Sequence, residues 1–444
     1  MDNDLNLPEP LYVKKGIAKD IDELEKKGDN IFSFDGLLEI ETIFQLYLLK
    51  KYKSKCIPYS QVDVISGKRI LGITLNLKLR YTSFEDENIR KHFTNLAKNI
   101  ADCVKRGEKT IIIPLTYERS NSGHANILIY RRKTNELEHF EPHGSDYMGD
   151  IKLQEASKKL LLTFTNILNN ELKKDNLPEV KYIEASQVCP YIEGLQILEL
   201  KSELRLSKTE PPGYCAAWSM FFMELCLKNP DISSRDILTN IYNYLASKPE
   251  SSNYLRKVIR GYSGYIYEKF EKYLSVFFKR KLNIDDIKIF YKKNDDERIT
   301  KLREVLNILA LLEFRMVTEP DFNLNNELKK TKKEFYNLTK GKTKEEIRQQ
   351  MKTRLYLKNL YYKKRILQNY EEYDKYDRVS EPIIDSPLEI KREDIKNLNV
   401  LTKKIREIPE KKQKTIKNKS PKSKTIKNKS EKIIKNIKNI EIVT

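Results

Sequence analysis

Cysteine is scarce in this 444-residue chain: five residues, Cys56, Cys103, Cys189, Cys215 and Cys226, stand at irregular intervals with no CxxC pair. An odd, scattered set in a long chain argues against a disulfide framework or a cysteine-rich zinc site, and favours a reducing compartment. Long apolar runs are missing as well, none approaching the roughly 18 residues that a spanning helix needs. The opening residues, MDNDLNLP, are acidic and lack the apolar stretch of a secretory leader. These absences predict an intracellular, non-secreted protein without a membrane partner. Histidine numbers only four, His92, His124, His139 and His143, three of them within 20 residues.

Charge is abundant and uneven. The formal net charge is +20, and residues 401–444 alone carry 15 Lys/Arg against 4 Asp/Glu, a net +11. Within that tail KTIKNKSPKS (414–423) is followed by KTIKNKSEKI (424–433), a tandem repeat without aromatics. Such a segment buries too little apolar area to offset its ordering entropy, which predicts a disordered basic tail. It is either a plain solvated tail or an electrostatic anchor for nucleic acid or an acidic partner, with affinity that falls as salt rises.

Hydrophobic periodicity divides the rest. Residues 1–105 read as mostly helical, with helices over 34–52 and 87–106. From Lys109 the pattern turns β-like: TIIIPLTY (110–117), NILIY (126–130) and LEHFE (137–141) read as neighbouring strands. A helix over 153–172, a strand over 180–184 and an apolar helix opening at Cys215 and ending before Pro230 follow. The expected class is α+β, a mixed sheet packed against a central helix that bears the cysteine. The predicted division is a helical N-terminal region (1–105), a core (106–232), a helical module (233–380), and a linker with the tail (381–444). The module begins with helices over 236–245, 253–278 and 296–317. Its last helix, from Thr343 to about Tyr370, opens on the capping box Thr343-Lys-Glu-Glu346. Tyr356, Tyr361, Tyr373 and Tyr376 interleave there with Lys363, Lys364 and Arg365, either a stacking surface for nucleic acid or, as aromatic stripes at helical spacing usually are, a helix interface.

The segment PGYCAAWSMFF (212–222) sets a cysteine where a Pro/Gly turn gives way to an apolar helix. First-turn N–H groups lack intrahelical partners and the helix dipole is positive there, so Cys215 is favoured as thiolate over thiol. A thiol nucleophile also needs a base, an orienting acid and oxyanion donors. His124 and Glu141, 17 residues apart, stand at the far ends of a hairpin, which returns them to adjacent positions. The Cys215 backbone N–H, at the helix start, is one candidate oxyanion donor. Each residue has a plainer alternative: a core cysteine, as read for Cys226, a structural histidine, a surface carboxylate. A metal site from His139, His143 and Cys189 is the rival, but Pro142 prevents helical spacing of the two histidines and no second ligand pair stands out. No metal and no cofactor are expected.

The blocks His-Ala-Asn (124–126), Phe-Glu-Pro-His-Gly (140–144) and Gly-Tyr-Cys-Ala-Ala-Trp-Ser (213–219) resemble the cysteine-peptidase clan of adenovirus-type endopeptidases and SUMO-type proteases, above all its members in large cytoplasmic DNA viruses. The resemblance covers about residues 105–230. It implies Cys215 as nucleophile, His124 as general base and Glu141 as orienting acid, with cleavage after small residues in virion precursors or ubiquitin-like conjugates. It also implies residence in the host cytoplasm or the virion. The clan's oxyanion glutamine is missing from its usual place, where Lys208, Thr209 and Glu210 stand; Gln196, 19 residues before the cysteine, is the candidate and Gln187 the weaker one. The aromatic that often follows the histidine is Ala125 here, so substrate choice does not transfer. Two further readings stay open: an acetyltransferase of the same clan, and a catalytically silent virion or binding protein.

Overall fold

The computed structural model describes residues 15–28, 38–54, 56–62, 69–71, 73–76, 87–119, 122–144, 151–204, 214–278, 297–319 and 321–379. All belong to a unit spanning residues 1–389; the second unit, 390–444, which holds the basic repeat, lies outside the described residues. The described elements run α1 (Lys15–Lys27), α2 (Leu38–Lys51), β1 (Tyr59–Val62), β2 (Arg69–Leu71), β3 (Ile73–Asn76), α3 (Glu87–Lys105), β4 (Thr110–Arg119), β5 (Ser122–Arg131), β6 (Glu136–Phe140), α4 (Ile151–Lys174), β7 (Lys181–Ile183), α5 (Ala185–Val188) and α6 (Leu195–Leu200). Then come α7 (Cys215–Lys228), α8 (Ser234–Ala246), α9 (Ser251–Phe278), α10 (Glu297–Thr318), α11 (Leu324–Thr339), α12 (Lys344–Thr353) and α13 (Leu355–Val379).

The class is α+β. Five strands form one sheet in the order β3-β4-β5-β6-β7, antiparallel through β4, β5 and β6 and parallel at both edges. β4 reads as a nearly continuous apolar run because both faces of the sheet are covered. On one face Ile111, Ile113 and Leu115 of β4, with Leu128, Tyr130 and Leu137, pack under Phe93, Leu96 and Ile100 of α3 and Leu161, Phe164 and Leu168 of α4. On the other lies α7, whose residues Ala217 to Leu227 are all buried. That is why its sequence is apolar all round and not striped. Phe140 stacks on Phe222 at 3.9 Å between ring centroids, fixing β6 to α7.

Both ends of α7 are tied to β5. Ser219 Oγ donates to the Ala125 carbonyl at 3.0 Å. At the other end the buried Arg131 guanidinium donates to the Asn229 carbonyl at 3.2 Å, just past the helix, and reaches Cys226 Sγ at 3.0 Å. A cation there satisfies carbonyls that no longer have intrahelical partners. Glu138 balances it at 3.0 Å and also accepts from the Ser234 backbone N–H at 3.1 Å, which caps the start of α8.

Several expectations need correction. Besides the helices α1, α2 and α3, residues 1–105 hold the strands β1, β2 and β3, which were not expected, and β3 becomes an edge of the main sheet. Strands of three or four residues are too short for periodicity to show them. Cys56 and Cys103, expected unpaired, form a disulfide with Cα atoms 5.5 Å apart, both fully buried in the α3 core. The pairing joins positions 47 residues apart and comes from tertiary packing, which spacing does not encode. The expected helix from Thr343 is two, broken at Arg354, although the Thr343–Glu346 capping box forms. Lys363 pairs with Glu327, and Lys364 lies over the Phe335 ring at 4.0 Å. Those two cations serve helix packing; the side chains of Tyr373 and Tyr376 lie outside the described residues. Helices far apart in the chain also pack together, α1 along α9 and α2 along α10.

Removing one partner of a buried charge pair leaves the other uncompensated, at a cost of about 3–5 kcal/mol. Arg131→Met is therefore expected to destabilise by that amount in urea unfolding, and Arg131→Met with Glu138→Leu to recover most of it. Equal losses in the single and double variants would show that the pair does not clamp α7.

Candidate active site

β5 supplies the first side chain. His124 pairs in register with Tyr117 of β4, and the two rings lie parallel with centroids 6.5 Å apart. Asn126 shares its face of β5 by the two-residue period of a strand. The β5–β6 hairpin turns over 132–135, with Asn135 in the left-handed region at φ 51° that asparagine tolerates. Its register sets Ile127 opposite Phe140, so one step further sets Asn126 opposite Glu141. The geometry follows: Glu141 Oε1 lies 2.6 Å from His124 Nε2, and Asn126 Nδ2 donates to Glu141 Oε2 at 2.8 Å.

α7 supplies the thiol. Cys215 is its first residue and a half-buried free cysteine. The cap residue Tyr214 offers no side-chain acceptor, so the first-turn N–H groups are not capped from that position. Tyr214 is itself buried under the Arg256 guanidinium, 5.6 Å from the ring centroid, and Arg256 meets Glu199 of α6 at 2.6 Å. The start of α7 is thus held by α9 and α6. There Cys215 stands near enough to the His124 ring to help raise it electrostatically. Nε2 is taken by Glu141, which leaves Nδ1 as the ring nitrogen for the thiol. The preceding Pro212–Gly213 turn lies outside the described residues.

A close backbone crossing fixes the loop after β6. Gly144 has φ +100°, and a Cβ on it would stand 2.3 Å from the Ile192 carbonyl oxygen; one on Gly194 would stand 2.3 Å from the Pro142 carbonyl oxygen. Only glycines allow this approach. It brings α6 alongside, with the Gln196 backbone N–H donating to Pro142 O at 2.9 Å. The Gln196 side chain is 2% exposed, and its Oε1 has no hydrogen-bond partner among the described residues. Gln187, by contrast, is exposed and accepts from the Glu184 backbone N–H in a cap of α5.

Of the residues named from sequence spacing, His124 and Glu141 are bonded to each other, Cys215 opens α7 near the His124 ring, and Gln196 lies on α6 beside the loop after Glu141. Spacing gave Asn126 no role and offered His143 only as a metal ligand beside His139 and Cys189. Asn126 was findable by strand alternation from His124; His143, whose backbone N–H donates to Glu141 Oε1 at 3.0 Å, was not. The rival metal trio comes apart. His139 is buried against the Tyr182 hydroxyl at 3.1 Å and Cys189 against the Tyr242 hydroxyl.

Electrostatically the pair is coupled. Burial opposes charge on His124, but the Glu141 carboxylate and Cys215 outweigh it and raise the ring to about 9. Burial likewise opposes charge on Glu141, and the His124 charge with hydrogen bonds from His124 and His143 lowers it to about 2. Burial pushes His139 down to about 4 and Cys226 up to about 11.

No known protein family matches the chain, and no solved structure matches it significantly. It is 26% identical over 284 residues to a protein of Acanthamoeba polyphaga mimivirus named for ankyrin repeats. The match takes in 60% of this chain and 34% of that relative, so the chain spans about a third of its length. Among the described residues no helix is long and apolar enough to cross a membrane.

The raised histidine stabilises the fold fully below its ordinary value of 6.5, and that contribution is lost as pH rises through about 9. The lowered Glu141 contributes above its ordinary 4.5 and loses this as pH falls through about 2. The stability gap between wild type and His124→Gln should accordingly be widest near pH 5.5, between those two ordinary values, and shrink towards pH 9. A gap of constant size from pH 6 to pH 10, in urea unfolding, would sink this assignment.

Proposed function

We propose that the protein is a thiol hydrolase, a cysteine peptidase that cuts a peptide or isopeptide bond with Cys215 as nucleophile, His124 as general base and Glu141 as the acid that orients it. One observation carries the reading: a single buried imidazole is bonded to a buried carboxylate and lies within electrostatic reach of a half-buried cysteine at the first residue of a helix. The thiol proton resides on His124 Nδ1 in a thiolate–imidazolium pair before substrate arrives; Cys215 Sγ then attacks the carbonyl carbon, and the protonated ring delivers its proton to the leaving amine. Water finally hydrolyses the thioester. Glu141 keeps the ring in the tautomer that faces sulfur, and Asn126 keeps Glu141 in place. The Cys215 backbone N–H is one oxyanion donor, and Gln196, on the helix beside the site, is the proposed second. The partner is a protein substrate. The viral source of the similar protein fits virion maturation or work in the host cytoplasm, and the basic tail is the proposed contact for nucleic acid or an acidic partner.

A second reading, protein binding without chemistry, draws on the relative named for ankyrin repeats, since stacked repeats of that kind build binding surfaces.

Alkylation of each thiol, followed by peptide mass spectrometry across pH, separates the two. Cys215 should react at least about tenfold faster in wild type than in His124→Ala, with Cys189 and Cys226 as slow buried references. The advantage should fade as pH rises through about 9, where the ring loses its charge. Cys215 labelling at the rate of Cys226, indifferent to His124, favours the binding reading. Once a substrate is known, Cys215→Ala should abolish turnover, and Gln196→Ala should lower kcat by about 10²–10³ while leaving the alkylation rate alone.

A further inference from the structure

His143 is not needed by the chemistry above, yet it is folded back on it. Its Nδ1 lies 3.4 Å from His124 Nε2 and 3.4 Å from Glu141 Oε1, which are themselves 2.6 Å apart. The His124 and His143 ring centroids are 4.5 Å apart. Two imidazole nitrogens and one carboxylate oxygen thus converge from a strand, a strand end and a loop, with His124 and Glu141 buried and His143 half-buried.

Two histidines and one carboxylate are the donor set of open zinc sites. Bonds of about 2.0–2.2 Å to a tetrahedral ion hold ligand atoms about 3.3 Å apart. Two of the three edges already have that length, and the third needs to open by about 0.7 Å. The surroundings suit a metal as well. Asn126 holds Glu141 Oε2 from behind, the outer contact that orients a ligating carboxylate, and leaves Oε1 for the ion. The Gly144–Gly194 crossing fixes the loop that carries His143, so little ordering remains to be done on binding. The four histidines include these two, and residues 227–444 contain neither histidine nor cysteine to compete.

We propose that His124, Glu141 and His143 form a site for a divalent transition metal of the zinc class, and that occupancy switches the Cys215–His124 pair off. As the metal bond forms, the Nε2 proton now shared with Glu141 leaves to solvent. A neutral imidazole ligated through Nε2 carries its single proton on Nδ1, so no nitrogen is left to accept the proton of the thiol. Metal binding and general-base catalysis at His124 exclude one another. The switch rests on the function proposed above; the metal site does not.

The test uses the full chain, stripped of metal with a chelator, in a zinc titration against a chromophoric competitor and a parallel Co2+ titration read in the visible. One equivalent with tetrahedral Co2+ bands is expected. Affinity should fall by more than roughly a hundredfold in His143→Gln and Glu141→Gln, a larger loss than an outer partner causes. It should return in His143→Cys, which restores a ligand and guards against a variant that merely misfolds. Cys215→Ala should bind as wild type. No binding up to roughly 0.1 mM zinc, affinity indifferent to His143→Gln, or affinity lost with Cys215→Ala overturns the site. Zinc should also slow Cys215 alkylation in wild type to the His124→Ala rate and leave His143→Gln unchanged; a rate indifferent to bound zinc overturns the switch alone. A Cys215 that is unreactive in metal-free protein counts against the proposed function, and the titrations still decide the site.

Discussion

The register of β5 on β6 is the constraint on which the rest depends. With Ile127 opposite Phe140, the hairpin presents one set of polar groups at each end. At the open end His124, Asn126 and Glu141 meet; at the turn end Arg131 and Glu138 meet. A slip of one residue would send every side chain of one strand to the other face, parting both sets at once. The apolar pairs between them, with helices on both sides of the sheet, make such a slip costly.

α7 is placed by the same hairpin. Arg131 holds its C-terminal carbonyls and Ser219 holds it to Ala125, so its position along the sheet is set by two contacts to one strand. The cysteine at its first residue then has little freedom, because Tyr214 before it is buried beneath Arg256. Polar groups distant from the thiol therefore determine where the thiol goes. The buried Glu199–Arg256 pair and the Glu224 carboxylate, which takes Lys51 at 2.6 Å and Tyr262 at 3.0 Å, extend the same framework into the helices from both ends of the chain. Buried charges of this kind are expensive unless paired, which is why each has a partner.

Charge inside the site is concentrated in one buried pair. A histidine raised to about 9 beside a carboxylate lowered to about 2 forms a buried ion pair whose proton can be shared, moved to a leaving group, or displaced by a cation. His143 adds a second imidazole to a carboxylate that already has enough hydrogen bonds, and that surplus is what distinguishes the site from a bare nucleophile, base and acid.

The sequence by itself determined the parts whose signals are local. Short β-favouring runs between polar turns marked β4, β5 and β6, an apolar run marked α7, and turn-to-helix context singled out Cys215, with His124 and Glu141 a hairpin's length apart. Thr343 and Glu346 announced their capping box because a cap needs only four residues. Tertiary structure alone decided the rest. The Cys56–Cys103 pairing, the addition of β3 to the sheet and the break at Arg354 depend on contacts between segments far apart in the chain or on very short elements. Gln196 approaches the site only because two glycines let backbones cross, and His143 turns towards His124 and away from His139 because the loop after Glu141 is pinned there. A residue's type and spacing state what chemistry it can do; which neighbours it does it with is a property of packing, and packing is not written in any one stretch of the chain.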